Sequence, residues 1–96
     1  MKAALILHGP WAELLTVRSR TRDSLASLGR RSGMHPNHIS TLETGQGNPS
    51  PRTILRLADA LGVEPAVLYP ANSTPNAAAE RWIPVLRGAQ PTGGAA

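Results

Sequence analysis

The chain has no cysteine and no phenylalanine, and its aromatic side chains are two tryptophans and one tyrosine. Without cysteine there is no disulfide framework and no thiolate metal site, which suits a reducing compartment, so the cytoplasm is the expected location. Long apolar runs are missing too. The opening "MKAALILH" places the run "AALIL" behind a single Lys, too short for a signal-peptide core and far too short for a bilayer span, so no membrane association is expected. Chemistry-bearing clusters are equally scarce. His35 and His38 lie three positions apart with no Cys or carboxylate placed beside them, and His8 is remote, so no metal set is expected. Ser24, Ser40 and Thr41 show no His-Asp relay, and the chain offers no Gly-rich phosphate loop. These absences argue against an enzyme and against a cofactor. A chain of 96 residues makes one domain with a small core and little room for a cleft.

What the sequence does have is arginine, concentrated in one segment. The formal charge is +4, yet residues 1–17 are neutral and residues 57–96 come to −1. Residues 18–56 hold Arg18, Arg20, Arg22, Arg30, Arg31, Arg52 and Arg56 against Asp23 and Glu43, a local +5. Such a segment is expected of a domain that meets a polyanion such as nucleic acid, and the guanidinium fork suits phosphate.

Apolar spacing predicts a succession of short helices. Trp11, Leu14, Leu15 and Arg18 fall on one stripe, giving a first helix over about 10–20 with Pro10 in its first turn. Ser24 is placed to cap a second, about 25–32, which contains Leu25 and Leu28 and closes at Gly33. Pro36 suits the first position of a third, about 36–44, whose inner face is Ile39 and Leu42 and whose end is Gly45. After the turn "QGNPS", Ser50 caps a fourth, 51–61, with Ile54, Leu57, Ala58 and Leu61 at helical spacing before Gly62. "VEPAVLYP" reads as a last short helix, about 64–69. Trp11 is expected to plug the core beside it. Residues 1–9 read as an N-terminal arm, 10–70 as the helical domain and 71–96 as a largely irregular tail rich in Ala, Pro, Gly, Asn and Thr. Within that tail, Trp82, Ile83, Val85 and Leu86 form an apolar cluster expected to dock on the body, on the run "AALIL" or on a second subunit.

Two short helices joined by a tight Gly-containing turn form a helix-turn-helix, whose second helix lies in the DNA major groove. That placement accounts for the polar third helix. With Ile39 and Leu42 turned to the core, Pro36, Asn37, His38, Thr41 and Thr44 are free to meet base edges and phosphates. Arg18 and Glu43 give a second clue, because each occupies a place on an inner stripe where a core would take Leu. Burying either charge alone is costly, so the two are expected to pair and to fix the third helix against the first.

The segment "SLASLGRRSGMHPNHISTLETGQGNPSPRTILRLADALGV" resembles the Cro/C1-type, phage-repressor (XRE-like) helix-turn-helix family over roughly 11–69. The resemblance rests on Leu28-Gly29, where the family usually has Leu-Ala, on Gly33-Met34, Ile39-Ser40, Leu42-Glu43 and Gly45, and on Pro49-Ser50, Leu57-Ala58 and Leu61-Gly62-Val63. It implies an all-α, compact five-helix, lambda-repressor-like domain that binds operator DNA, usually as a twofold dimer, with an Arg18–Glu43 type of ion pair. Carried over residue by residue, it implies that Pro36, Asn37 and Thr41 face base edges, with Asn37 the main reader through bidentate bonds to adenine. It implies phosphate contacts at Ser24, His35, His38, Thr44, Gln46, Asn48 and Arg52.

Two departures stand out. Leu25 occupies a place where the family often has a phosphate-bonding Gln, and His35 replaces the usual Ser or Thr cap. If either His35 or His38 lies against phosphate, DNA affinity should rise between pH 8 and 6. The resulting expectation is a sequence-specific, double-stranded-DNA-binding transcriptional regulator, a repressor acting as a homodimer on a near-palindrome. Two alternatives stand beside it: an antitoxin-type regulator whose tail wraps a toxin, and a protein-interaction module of the same fold working through "ERWIPVLRG".

Overall fold

A computed structural model describes residues 4–75. Five helices follow a short strand and precede another: β1 (Leu5–Leu7), α1 (Ala12–Thr21), α2 (Leu25–Ser32), α3 (Pro36–Glu43), α4 (Pro51–Leu61), α5 (Pro65–Leu68) and β2 (Ser73–Pro75).

Local chemistry sets most of these boundaries. Ser24 Oγ accepts the Ser27 N–H at 3.0 Å and Ser50 Oγ accepts the Thr53 N–H at 3.1 Å, each satisfying a donor that the first turn leaves unpaired. Pro36, Pro51 and Pro65 open α3, α4 and α5, where the missing N–H costs nothing. α1 ends differently, on Arg22 at φ 58°, whose N–H reaches back to the Arg18 and Ser19 carbonyls.

The core is one cluster fed by every element except β2. Trp11 is fully buried with Leu14 and Val17 from α1, Leu28 from α2, Ile39 and Leu42 from α3, Ile54, Leu57, Ala58 and Leu61 from α4, and Leu68 from α5. Trp11 also donates its Nε1–H to the Leu68 carbonyl at 2.8 Å, which gives its one polar atom a partner beside α5.

Two features differ from the sequence expectation. First, Leu15 lies 43% exposed while Val17 is 4% exposed. α1 begins at Ala12, two residues after the expected start, and its inward arc runs through Leu14, Val17 and Arg18. Second, residues 5–7 of the expected N-terminal arm form a strand. β1 pairs antiparallel with β2 in the register Leu5↔Pro75, Ile6↔Thr74 and Leu7↔Ser73, so the start of the presumed tail is part of a small sheet. Leu5 and Leu7 enter the core and Ile6 faces out. The other edge of β1 is satisfied by the α3–α4 connection: Leu5 N–H donates to the Pro49 carbonyl at 2.8 Å and Leu7 N–H to Asn48 Oδ1 at 3.2 Å. The sheet therefore braces the loop that follows α3.

Gly45 marks where that brace is tightest. At φ +82°, it would place a Cβ 2.2 Å from the Gly9 carbonyl oxygen, so only glycine fits the crossing of the two segments. Next to it, Trp11 N–H donates to the Glu43 carbonyl at 3.0 Å.

Candidate nucleic-acid interface

α2, the turn of Gly33, Met34 and His35, and α3 make a helix-turn-helix. Gly33 takes φ +74°, which lets α2 close and the chain reverse. Gly29 explains the departure from the usual Leu-Ala pair, because a Cβ there would stand 2.6 Å from the Met34 carbonyl and 3.2 Å from the Pro36 ring. The turn is thus pressed directly onto the buried face of α2.

α3 divides cleanly into two faces. Ile39 and Leu42 are fully buried, whereas Asn37, His38 and Thr44 are exposed and Pro36, Ser40 and Thr41 are half-buried. The bonds that fix Asn37 are made by its backbone: its N–H donates to His35 Nδ1 at 3.1 Å, and its carbonyl accepts the Thr41 hydroxyl at 2.9 Å. Its carboxamide is left to the exposed side. Thr44 likewise donates its hydroxyl to the Thr41 carbonyl at 3.0 Å. With their protons committed inside the helix, Thr41 and Thr44 present lone pairs to an outside donor.

The angle of α3 is set from α1. Arg18 grips Glu43 with both branches of its fork, Nε on Oε2 and Nη2 on Oε1 at 3.0 Å, and its Nη1 donates to the Asp23 carbonyl at 3.0 Å. Glu43 is 8% exposed. The hydrogen bond that Arg18 donates to Glu43 raises its guanidinium further above its already high range, against the opposing effect of burial.

A second pair had no counterpart in the sequence expectation. Arg31 Nη1 and Nη2 donate to Asp23 Oδ1 and Oδ2 at 2.5 and 2.8 Å, and Nη2 also donates to the Ala60 carbonyl at 2.7 Å, tying the α1–α2 turn to the end of α4. The Arg31 bond, helped by the Thr21 hydroxyl, lowers the Asp23 carboxyl to about 2. Arg18 and the exposed Arg31 are therefore occupied by ion pairs within the fold, and Arg20, Arg22, Arg30, Arg52 and Arg56 are the exposed arginines of the basic segment outside those two pairs.

Arg52 and Arg56 belong to a particular place. An open groove of about 360 Å³ runs between the start of α3 and the start of α4, and its walls carry His35, His38, Arg52 and Arg56 with Ser50 and Thr53. Arg56 was not among the expected contact residues. It stands four positions after Arg52, one turn on, so helical spacing alone puts both on one face. The other expected phosphate residues are spread out. Ser24 caps α2, Thr44 and Gln46 are exposed at and after the end of α3, and Asn48 lends its Oδ1 to β1. Trp82, Ile83, Val85 and Leu86 lie outside the described residues. Among the described residues, no group of three or more His, Cys, Asp or Glu is placed to hold a metal, and no helix is long and apolar enough to cross a membrane.

A second helix with a buried apolar face and an exposed polar one, held by an internal ion pair beside a basic groove, defines the class: a helix-turn-helix DNA-binding domain of the transcriptional-regulator type. Residues 12–69 match the family model of a helix-turn-helix domain, and the chain belongs to that family. The chain is similar to a solved structure, the restriction-modification controller protein C.AhdI from Aeromonas hydrophila. The identity is 35% and the TM-score 0.58, with 59% of this chain and 86% of that one covered. No curated protein matches.

Proposed function

We propose that the chain is a sequence-specific transcriptional repressor that binds a near-palindromic operator as a homodimer, with α3 in the major groove. The observation that carries this reading is the division of α3 into a fully buried apolar face and an exposed face bearing Asn37 and the Thr41 oxygen. In this arrangement Pro36, Asn37 and Thr41 meet base edges. Asn37 bonds adenine through both ends of its amide, and Thr41, its proton already committed, accepts from a base amino group. His35, His38, Arg52 and Arg56 take backbone phosphate from the groove, and Ser24, Thr44, Gln46 and Asn48 make further phosphate contacts outside it.

Self-association is supported by exposed apolar side chains away from α3. Leu15 on α1 is 43% and Val67 on α5 44% exposed, and Val67 shares a shallow pocket with Ala12, Thr16 and the charged Glu13 and Arg20 of α1. A twofold dimer would set half-sites about one helical turn apart, roughly 34–36 Å. The likeness to a restriction-modification controller supports a regulatory role over an isolated binding module. The unit would act in the cytoplasm.

The groove gives a direct test. Duplex affinity of the wild type should fall steeply with salt, and Arg52→Ala or Arg56→Ala should each lessen the log–log slope by about 0.9 for the phosphate no longer neutralised. Affinity insensitive to salt would reject DNA binding and favour the protein-interaction module.

A further inference from the structure

The cap of the reading helix is a histidine ring. His35 stands immediately before Pro36, and its Nδ1 accepts the N–H of Asn37 at 3.1 Å. Because Nδ1 serves as the acceptor, the neutral ring carries its proton on Nε2. Serine, threonine or asparagine can cap a helix at any pH, but imidazole can do so only while Nδ1 is unprotonated. Once charged, both ring nitrogens are donors and the Asn37 N–H loses its partner.

We propose that His35 is a positioning residue for Asn37 and makes base discrimination depend on pH. The inference rests on the reading of α3 given above. The charged and titratable groups around His35 are His38 on its own helix and Arg52 and Arg56 from α4; the remaining walls of the groove are Gly33 and Met34 of the turn and the hydroxyls of Ser50 and Thr53. Among the described residues, no carboxylate lines the groove beside His35. With DNA bound, that same neutral tautomer can cap with Nδ1 and donate Nε2–H to a phosphate. One protonation state thus serves both the cap and the backbone contact. Acidification separates them: an imidazolium attracts phosphate more strongly, while α3 loses one of the two bonds that fix Asn37. Affinity for DNA of any sequence rises, and discrimination at the Asn37 base pair falls.

The test compares wild type, His35→Ser and His35→Ala at constant ionic strength, at pH 8 and at pH 5.5. The probes are a selected duplex and the same duplex altered at the base pair whose preference depends on Asn37. A bidentate contact is worth roughly 5- to 150-fold in discrimination. At pH 8 wild type and His35→Ser should show that preference and His35→Ala a smaller one. At pH 5.5 the wild-type ratio should contract toward that of His35→Ala, while His35→Ser, whose cap does not titrate, should keep its ratio. A wild-type ratio equal at both pH values, or a parallel contraction in His35→Ser, overturns the proposal. A second measurement needs no DNA: in the free protein, the Asn37 amide resonance should move with the titration of the His35 ring. Ring titration without movement of that amide overturns the positioning role even if α3 reads DNA. Absence of any sequence preference in wild type at pH 8, with the amide responding, instead rejects the reading of α3 on which the proposal rests.

Discussion

Arg18 of α1 and Glu43 of α3 close on one another through both branches of the guanidinium, with Glu43 8% exposed. Removing one partner leaves a buried charge without its counter-ion, which typically costs about 3–5 kcal/mol, whereas an apolar pair of similar volume is tolerated. Arg18→Met or Glu43→Leu alone should therefore lower the urea unfolding free energy by about that amount, and the double variant should recover much of it. Additive losses below about 1 kcal/mol would mean that the pair does not hold α3.

Asp23 and Arg31 respond to pH instead. The Asp23 carboxyl sits at about 2 in the fold, against about 3.9 for an unfolded chain. A lowered folded-state value favours the folded protein above the unfolded value, and that contribution disappears as pH falls through about 4 toward 2. Thermal melting between pH 5 and 2 should show wild type losing stability more steeply than Asp23→Asn. Equal slopes would remove the pair from the acid response.

Three glycines with positive φ separate backbone strain from crowding. Gly33 and Gly62 would give an added Cβ open space, but at Gly45 it would meet the Gly9 carbonyl at 2.2 Å. Alanine at Gly33 or Gly62 should cost about 1–3 kcal/mol for the conformation alone. Gly45→Ala should cost clearly more by chemical denaturation, and equal costs would contradict the close crossing.

The small sheet gives a further contrast within one strand. Leu5→Ala empties a fully buried site and should cost about 2–5 kcal/mol, as core Leu truncations do. Ile6→Ala, on the outward face at 43% exposure, should cost under about 1 kcal/mol. Similar small effects at both would contradict the burial of Leu5 in the core.

What the sequence made legible was local. Ser24, Ser50, Pro36, Gly33 and Gly62 mark their helix boundaries within a turn of the signal, and the structure places each at the boundary its chemistry suits. Arg18 and Glu43 were legible because each charge interrupts an apolar stripe. Asp23 and Arg31 were not, since neither sits where a core would object to charge. β1 and β2 escaped because three-residue strands are too short to show a period of two, and their partners meet only through the tertiary fold. Leu15 misled because the expected stripe was anchored on Trp11, which stands before α1 in a non-helical conformation, so the inward arc through Leu14 and Val17 was read from the wrong residue. In the candidate interface, helical spacing left Pro36, Asn37, His38, Thr41 and Thr44 off the inner face and the family resemblance singled out Pro36, Asn37 and Thr41, but the groove that joins Arg56 to His35 needed α4 placed beside α3.

The central claim is that α3 reads base sequence, and selection of bound molecules from a random duplex library by wild type and by Asn37→Ala tests it most directly. Wild type should enrich a twofold motif, and Asn37→Ala should keep the fold and relax the preference at one symmetric base pair. Failure of the folded wild type to enrich any motif, or an identical motif from Asn37→Ala, would contradict it.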